Sequence, residues 1–354
     1  MNTPYIDHSS HAPQSVPALQ PFPDRLHVVT AISNPCRYAS RYRLYRAFQK
    51  HMADSGAILT TVECAFRDRP FEITEPDNIF HVQVRTNDDL WHKENLLNLG
   101  ISRLSESAKY IAVIDADFIF ARPDWAQETL QQLQHYAAVQ MFTDVHYLGP
   151  KGNVLKYNRS FMSRWQSGET LARGRRPVRN DLIFSSTAPQ WSYPEPGRRP
   201  QGNGWGAPGG AWAFRREALN ALGGLVDYSI LGSADYYMAA ALIGKLDNVL
   251  PRSYAAGFSD MLSAWQERAE RHVRRNIGLV DGSCFHPWHG KFSERGYGIR
   301  EQIHYIYKFN PAKDLKRDSQ GLYALNDDGS ERYMRLRDEI RAYFRARNED
   351  SIDA

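Results

Sequence analysis

Short apolar runs and segments of helical periodicity alternate along the first half of the chain. The apolar runs predict buried strands at Leu26–Ile32, Ala57–Cys64, His81–Arg85, Tyr110–Ile114 and Ala138–Phe142. Between them, apolar residues at helical spacing predict helices over Tyr38–Met52, Leu90–Leu104 and from Pro123 to about Tyr136. Because strands and helices that take turns in this way usually form βαβ units, the pattern favours an α/β fold with a doubly wound, mostly parallel sheet.

The second half of the chain is less regular but predicts a similar mixture of elements. A strand is predicted at Gly210–Phe214, and helices are predicted over Arg216–Leu222, Asp235–Ile243, Phe258–Asn276 and Glu331–Arg347. Short side chains that carry oxygen satisfy the free amide groups at helix starts. We therefore expect Asp88 or Asp89 to cap the helix that begins at Leu90, and Ser233 to cap the helix that begins at Asp235.

Changes in composition divide the chain into three parts. Residues 1–25 are rich in Pro, Ser and His and lack periodicity, which predicts a disordered leader. Residues 26–300 hold the alternating elements and predict one large domain, which residues 151–208, rich in Arg, Pro and Gly, interrupt as a basic insertion. Residues 301–354 predict a C-terminal helical extension.

Composition and charge limit the class of protein only loosely. The chain has 354 residues and a formal net charge of +4, a weak excess that permits an anionic partner without requiring one. Its 3 cysteines are too few for a disulfide framework, which favours a reducing compartment. The sequence has no signal-peptide pattern and no apolar stretch long enough to span a membrane. We therefore expect a cytoplasmic protein with no membrane partner.

The strongest chemical signal is the segment IAVIDADFIF at residues 111–120. Its carboxylates, Asp115 and Asp117, directly follow a predicted buried strand, and ligands of open α/β sheets bind outside the carboxyl ends of the strands. Two buried carboxylates would repel each other unless a cation neutralised them, and oxygen ligands suit Mg²⁺ or Mn²⁺. The alternative interpretation is a solvated acidic turn, because an Asp-x-Asp pair often occurs by chance.

Three segments of the chain resemble glycosyltransferases of the GT-A fold, of the family-2-like and galactosyltransferase-like kind. They are LWHKENLLNLGI with YIAVIDADFIFARPDW, then GGAWAFRREALNALGGLVDYSILGSADYYMAAAL, and finally FHPWHGKFSERGYGIR. The resemblance covers about residues 26–300 and implies a donor half at 26–150 and an acceptor half at 209–300. It implies a metal-dependent enzyme that moves a sugar from a nucleotide-sugar, with a UDP-sugar as the first candidate, to a hydroxyl acceptor.

The resemblance also implies how a metal ion would be held. Asp117 would bind Mn²⁺ or Mg²⁺ directly, and Asp115 would contact the ion through water or contact the ribose. His289 would be the third protein ligand, with His286 as the competing candidate, because neutral imidazole is a common metal ligand. The alternative for either histidine is a structural role.

Further residues are candidates for the donor and for catalysis. Arg295, Tyr297 and Arg300 would hold the diphosphate, although surface ion pairs would also explain the two arginines. Asp235 would be the general base that takes the proton of the acceptor hydroxyl, which implies inversion at the anomeric carbon; the alternative is a helix N-terminal charge. The remaining candidates for donor or acceptor contact are Thr30, Ser33, Asn34, Arg37, Arg85, Lys93, Trp205 and Trp212.

The acceptor is less evident from the sequence. The opening NPCRYASRY and the ending YFRARNEDS look like glycosyltransferases encoded by large bacteriophages, some of which glycosylate hydroxymethylated pyrimidines in DNA. Arginines at 156–199, 268–275 and 332–347 would suit a DNA backbone if they formed one surface, although interleaved acids favour solvated helix faces. DNA, glycan and protein acceptors therefore all remain, in the cytoplasm of a bacterium or of a phage-infected cell. A nucleotidyltransferase or metal phosphohydrolase that uses the same aspartates is the alternative activity.

Overall fold

The computed structural model describes residues 22–169, 206–250 and 254–352 of the chain. Most of the predicted leader, the Arg-rich part of the predicted insertion and Trp205 lie outside the described residues. The side chain of Tyr297 also lies outside the description, although its backbone begins a helix. Everything below concerns the described parts of the chain.

Strands form one large sheet, one small sheet and a hairpin in the described residues. In chain order they are β1 (Leu26–Ser33), β2 (Ile58–Phe66), β3 (His81–Thr86), β4 (Tyr110–Ile114), β5 (Ile119–Phe120), β6 (Ala138–Gln140), β7 (Asp144–Leu148), β8 (Val154–Arg159), β9 (Ala211–Arg215), β10 (Ile277–Leu279), β11 (Ser283–His286), β12 (Leu315–Arg317) and β13 (Tyr323–Leu325). The large sheet has 7 strands in the order β10-β6-β9-β4-β1-β2-β3. Only β9 runs antiparallel to its neighbours in this sheet. The predicted α/β class with a mostly parallel sheet is therefore confirmed.

Helices pack on both faces of the large sheet. In chain order the described helices are α1 (Ala39–Ser55), α2 (Lys93–Arg103), α3 (Trp125–Gln132), α4 (Phe161–Gln166), α5 (Arg216–Leu222), α6 (Ala234–Leu242), α7 (Ala256–Arg268), α8 (Tyr297–Ile306), α9 (Pro311–Asp314) and α10 (Glu331–Ala346). The alternation of side chains along a strand explains this arrangement. In β4, Ile111 and Val113 enter one hydrophobic core with α2, whereas Ala112 and Ile114 enter the other with α1.

Three local predictions are wrong, and for one of them the structure shows contacts that compete for the residue. Asp89 does not cap α2, which begins later, at Lys93; its carboxylate is ion-paired with two arginines from distant segments. Ser233 precedes α6 with a left-handed backbone, φ 74°, and its side chain makes no capping hydrogen bond. The long helix predicted to reach Asn276 ends at Arg268 and continues as a π-helical turn to Val273.

The C-terminal residues pack against the large sheet instead of projecting from it. The β12–β13 hairpin reaches edge strand β3, where the Gln320 side chain accepts from the Arg85 N–H and donates to the Arg85 carbonyl. This pairing covers part of an edge that would otherwise present free backbone groups. The predicted C-terminal helical extension thus contains strands as well as helices. None of the helices in the described residues combines the length and the apolar character that crossing a membrane requires.

Candidate metal centre and active site

The Asp-Ala-Asp segment lies at the carboxyl end of β4, near the middle of the large sheet. The strand ends at Ile114, and the Asp115 N–H donates to the Gly210 carbonyl across the sheet, at 2.8 Å. A tight turn follows, in which the Phe118 N–H donates to the Asp115 carbonyl. The chain then enters β5, so Asp117 is held between two strands.

Pairing of β5 with β11 brings two histidines to Asp117. Phe285 lies opposite Ile119 and Cys284 opposite Phe120, so His286 reaches the turn that carries Asp117. The His286 ring packs edge-on against Phe118, with centroids 5.7 Å apart. β5 and β11 are far apart in the sequence and meet only through strand pairing. Predicting the individual strands therefore does not place these side chains together.

Asp117, His286 and His289 direct three potential metal ligands at one point. Asp117 Oδ2 lies 3.1 Å from His289 Nε2 and 3.7 Å from His286 Nε2. The two Nε2 atoms are 3.4 Å apart. Ligands at about 2.1 Å from one ion in octahedral geometry stand about 3 Å from each other, so the three atoms fit a single divalent cation. The other carboxylate oxygen, Asp117 Oδ1, is buried and has no hydrogen-bond partner among the residues that the structure describes, as expected of a group that binds an additional ligand.

The protonation states favour cation binding. Burial lowers the pKa of His286 to about 3 and also lowers the pKa of His289, so both rings are neutral near pH 7. Burial alone would raise the pKa of Asp117, but the rings of His286 and His289, together with Arg295, hold it well below its usual value. The group therefore presents one carboxylate and two neutral imidazoles. We call Asp117, His286, His289 and the adjacent Arg295 the histidine group.

The other aspartate of the pair belongs to a different cluster. Asp115 Oδ1 lies 3.0 Å from Lys93 Nζ, at the start of α2, and Lys93 also lies 3.4 Å from the buried Glu94. Burial lowers the pKa of Lys93, but its neighbouring carboxylates outweigh this effect and the net shift is upward. Asp115, which we expected beside the ion, is thus held by an internal cation. We call Lys93, Glu94, Asp115 and the nearby Asp235 the lysine group.

Asp235 lies at the start of α6, close to the lysine group. Its charge raises the pKa values of Lys93 and Glu94, so it stands near both. The glycine at position 209 approaches it so closely that an added Cβ would lie 2.0 Å from Asp235 Oδ2. A carboxylate at the start of a helix, close to the Asp-Ala-Asp segment through Asp115, is a candidate for proton transfer.

The two arginines predicted to contact the diphosphate have different surroundings. Arg295 is buried, with Nη2 3.3 Å from His289 Nε2 and its guanidinium 4.5 Å from the Phe292 ring centroid. The Arg300 guanidinium lies against Gly232, where an added Cβ would stand 2.7 Å from Nη1. Both positions would suit an anion that binds beside a cation.

Several predicted donor contacts are instead used inside the protein. The Thr30 hydroxyl donates to the Ile114 carbonyl between β1 and β4, and Asn34 caps the turn before α1 through two bonds to Tyr38. Arg85 donates to the carbonyls of Arg67 and Arg69. These three contacts explain the residues without a ligand.

The other predicted contacts are divided between surface, core and loop. Arg37 is exposed and paired with Glu72 at 3.1 Å. Trp212 is buried, packs on Phe214 and donates to the Pro208 carbonyl. Ser33 ends β1, where its carbonyl accepts from a neighbouring arginine.

The main residue that sequence reasoning missed is Glu349. It is 1% exposed, and its Oε2 lies 3.7 Å from His289 Nδ1. Nothing in the local sequence NEDS distinguishes it from a solvated acid, because its role depends on contacts with α1 and with the His-Pro-Trp-His-Gly loop. A single Glu outside any motif gives no indication that it will be buried beside a histidine.

The predicted basic surface on α10 is largely neutralised. Its arginines pair with acids on other elements, and the pairs are Arg332–Asp314, Arg337–Asp327, Arg341–Asp89 and, just after the helix, Arg347–Glu349. These arginines therefore have structural partners within the protein, and an arginine whose charge is already paired attracts a polyanion such as DNA only weakly.

Comparison with known proteins identifies no family for the chain. No protein-family model matches it, and no curated protein matches it. A solved structure of a mutant Drosophila β1,4-galactosyltransferase 7 with manganese, UDP-Gal and xylobiose is similar at a TM-score of 0.34 and 10% identity, over 86% of this chain and 95% of that one.

Two further solved structures are similar at the same low level. The catalytic domain of the same Drosophila enzyme with xylobiose gives a TM-score of 0.30 and 9% identity, over 86% of this chain and 94% of that one. A Desulfovibrio desulfuricans protein described as a nucleotide-diphospho-sugar transferase gives a TM-score of 0.28 and 11% identity, over 90% of this chain and 96% of that one. Scores of this size do not establish a shared fold, so the fold class rests on the strand order described above.

Proposed function

We propose that this protein is a metal-dependent glycosyltransferase of the GT-A type, which moves a sugar from a nucleotide-sugar to a hydroxyl acceptor. The observation that carries the proposal is the convergence of Asp117, His286 and His289 at the carboxyl end of β4. The carboxylate of Asp235 lies near Asp115, the other aspartate of the same segment. This edge of a mostly parallel sheet is where such folds bind nucleotides. A cation site and a separate carboxylate are the two parts that sugar transfer from a nucleotide diphosphate requires.

In this proposal Asp117, His286 and His289 hold the divalent cation. Imidazole nitrogens favour a transition-metal ion, so Mn²⁺ is a better candidate than Mg²⁺. When bound, such an ion supplies positive charge that stabilises a departing diphosphate. Arg295 and Arg300 would add charge-assisted hydrogen bonds to the phosphate oxygens.

Asp235 is the proposed general base. Its carboxylate would accept the proton of the acceptor hydroxyl as that oxygen attacks the anomeric carbon from the side opposite the diphosphate. Attack from that side inverts the anomeric configuration. Lys93 and Asp115 would support this arrangement by holding the start of α2 against the carboxyl end of β4.

For the acceptor we propose a glycan or another small hydroxyl compound in preference to DNA. The reason is the pairing of the α10 arginines with acids, which removes much of the charge expected of a DNA-binding surface. The relation to bacteriophage enzymes and the cytoplasmic location remain predictions from the sequence.

The test is to incubate the full chain with UDP-glucose, UDP-galactose and other sugar nucleotides in the presence of Mn²⁺ or EDTA, and to measure free nucleoside diphosphate. Release of diphosphate that EDTA abolishes would support the proposal. Release of nucleoside monophosphate with sugar 1-phosphate would instead favour a phosphohydrolase, and release of pyrophosphate from a nucleoside triphosphate and a sugar 1-phosphate in a parallel assay would favour a nucleotidyltransferase. No release of diphosphate from any donor would contradict the glycosyltransferase.

A further inference from the structure

Residues 343–351 comprise the last turn of α10 and the residues after it, and they close over the loop that carries the two histidines. We propose that this segment, which we call the C-terminal clasp, is part of the cation site, with Glu349 as the positioning residue that fixes His289. The inference rests on the cation site of the proposed function, but it concerns a residue outside the three ligands.

Glu349 faces His289 from the side opposite the cation position. Its Oε2 lies 3.7 Å from His289 Nδ1, while the Nε2 atom of the same ring points at Asp117. His289 Nδ1 is buried and has no hydrogen-bond partner in the described residues. After a small shift, the carboxylate could accept a hydrogen bond from that nitrogen.

Two arginines hold the Glu349 carboxylate in place. Arg41 from α1 donates through Nε and Nη2 to both oxygens, with Nη2 2.7 Å from Oε1, and Arg347 Nε lies 2.6 Å from Oε1. Removal of the carboxylate would leave two guanidinium groups close to His289. Their charge would repel a cation, so Glu349 supports the site through its charge as well as through its position.

The chemistry of a metal-bound imidazole explains why such a partner matters. The nitrogen that binds the ion must carry a lone pair, so the other nitrogen must carry the proton. A carboxylate that accepts this proton's hydrogen bond fixes both the tautomer and the orientation of the ring, and losing it typically weakens metal binding by about 10- to 100-fold.

The clasp is fastened to two other elements. Its Asp350 carboxylate accepts from the N–H groups of Ala39 and Ser40 at the start of α1, at 2.8 and 2.7 Å. On the other side, Gly290 follows His289 with φ +87°, and an added Cβ would lie 2.9 Å from the Asn348 carbonyl oxygen. The histidine loop and the clasp thus touch backbone to backbone.

The experiment measures Mn²⁺ affinity without any substrate, by following the electron paramagnetic resonance signal of free Mn²⁺ during titration of the full chain. We expect E349Q to bind Mn²⁺ about 10- to 100-fold more weakly than the wild type. The matched control is D314N, because Asp314 is also a buried carboxylate paired with an α10 arginine, at 2.7 Å, but lies away from the histidine group. D314N should keep wild-type affinity even if its melting temperature in EDTA falls.

The outcomes separate this inference from the proposed function. Equal Mn²⁺ affinity in E349Q and wild type, with binding lost in D117N, would overturn the role of Glu349 alone. A wild type that binds no Mn²⁺ would overturn the cation site and this inference together. An affinity loss in D314N as large as that in E349Q would also overturn the inference, since general destabilisation would then explain both.

If E349Q does not fold, a second variant, E349D, tests the role of Glu349 in Mn²⁺ binding. E349D keeps a carboxylate for both arginines but draws it back from His289 by one methylene. We expect it to fold and to bind Mn²⁺ at least about 3-fold more weakly, because the shorter side chain would hold the His289 ring less firmly. Unchanged affinity in E349D would overturn the proposal.

Discussion

The histidine group and the lysine group lie next to each other, yet their buried charges are compensated differently. In the lysine group, Lys93 lies between the carboxylates of Asp115 and Glu94, so an internal cation offsets part of their negative charge. In the histidine group, Asp117 Oδ1, His289 Nδ1 and Arg295 Nε are buried without hydrogen-bond partners in the described residues. The lysine group thus contains its own cation, whereas the histidine group has ligand atoms that a bound cation could use.

This difference shows that neighbouring aspartates of one short motif can serve separate purposes. Asp115 leaves β4 on the side of α2 and meets a lysine, while Asp117, after the turn, meets two histidines. An Asp-x-Asp motif is therefore not by itself a pair of metal ligands. Substitutions that remove one charge from either group, with metal binding, stability and turnover measured separately, would test this difference.

The largest expected effect comes from D117N. Replacing the only carboxylate among the three converging ligands should abolish detectable Mn²⁺ binding and reduce donor turnover by about 10³-fold or more. Titration with Mn²⁺ and a diphosphate-release assay would measure the two effects. The matched control is D115N, which we expect to change Mn²⁺ affinity by only a few-fold; equal losses in both variants would mean that the two aspartates act as one site.

The next largest effect should appear in the stability of K93M. Methionine fills similar space but leaves the buried Glu94 and the partly exposed Asp115 without their cation. Solvent reaches Asp115, so the loss should be about 2 to 3 kcal/mol, below the roughly 3 to 5 kcal/mol typical of breaking a fully buried pair. Urea denaturation followed by circular dichroism would give the free energy of unfolding. A variant as stable as the wild type would show that the lysine group is solvated in the protein.

The third prediction concerns D235N. Asparagine cannot take the acceptor proton, so the rate of sugar transfer should fall by about 10²-fold or more while the affinity for the nucleotide-sugar stays within about twofold. Transfer rates at saturating donor and a separate donor-binding measurement would distinguish the two parameters. Unchanged transfer would place the base elsewhere, and a parallel loss of donor binding would assign Asp235 to the donor.

The smallest predicted effect is a pH dependence of stability that arises from Glu94. Burial raises its pKa to about 7 in the folded protein, above its usual value of 4.5. A raised carboxyl pKa means that ionisation opposes folding, so the cost is absent below about pH 4.5 and grows as the pH rises towards 7. Relative to E94Q, the wild type should lose about 2 kcal/mol of unfolding free energy between pH 5 and 7. Parallel stability curves for the two proteins would contradict this assignment.

Much of the fold could be predicted because strong local patterns decide it. The run YIAVI gives β4 with the predicted bounds, and the helix over Arg216–Leu222 ends at a glycine with a left-handed backbone, as its sequence suggests. By contrast, the predicted cap at Asp89 failed because two arginines, one of them on α10, compete for its carboxylate. Tertiary ion pairs of this kind leave no trace in a window of a few residues.

The candidate site was only partly predictable for the same reason. Asp117 and the two histidines stand in recognisable motifs, and the structure brings them together. The pairing of Asp115 with Lys93 and the approach of Glu349 to His289 depend on how α2 and the C-terminal clasp pack. Thr30, Asn34 and Arg85 are predicted near the donor from the sequence, and in the structure each makes hydrogen bonds to backbone groups within the protein, which no local pattern indicates.

The bond between Asp350 and the start of α1 joins residues 310 positions apart. Contacts of such long range form late in folding, since the entropy of closing the intervening loop must be overcome before they contribute. Refolding from denaturant should therefore proceed in two stages, with tryptophan fluorescence of the core recovering first and the ability to capture Mn²⁺ returning afterwards. Before that second stage, the protein would have a folded core but could not yet bind Mn²⁺.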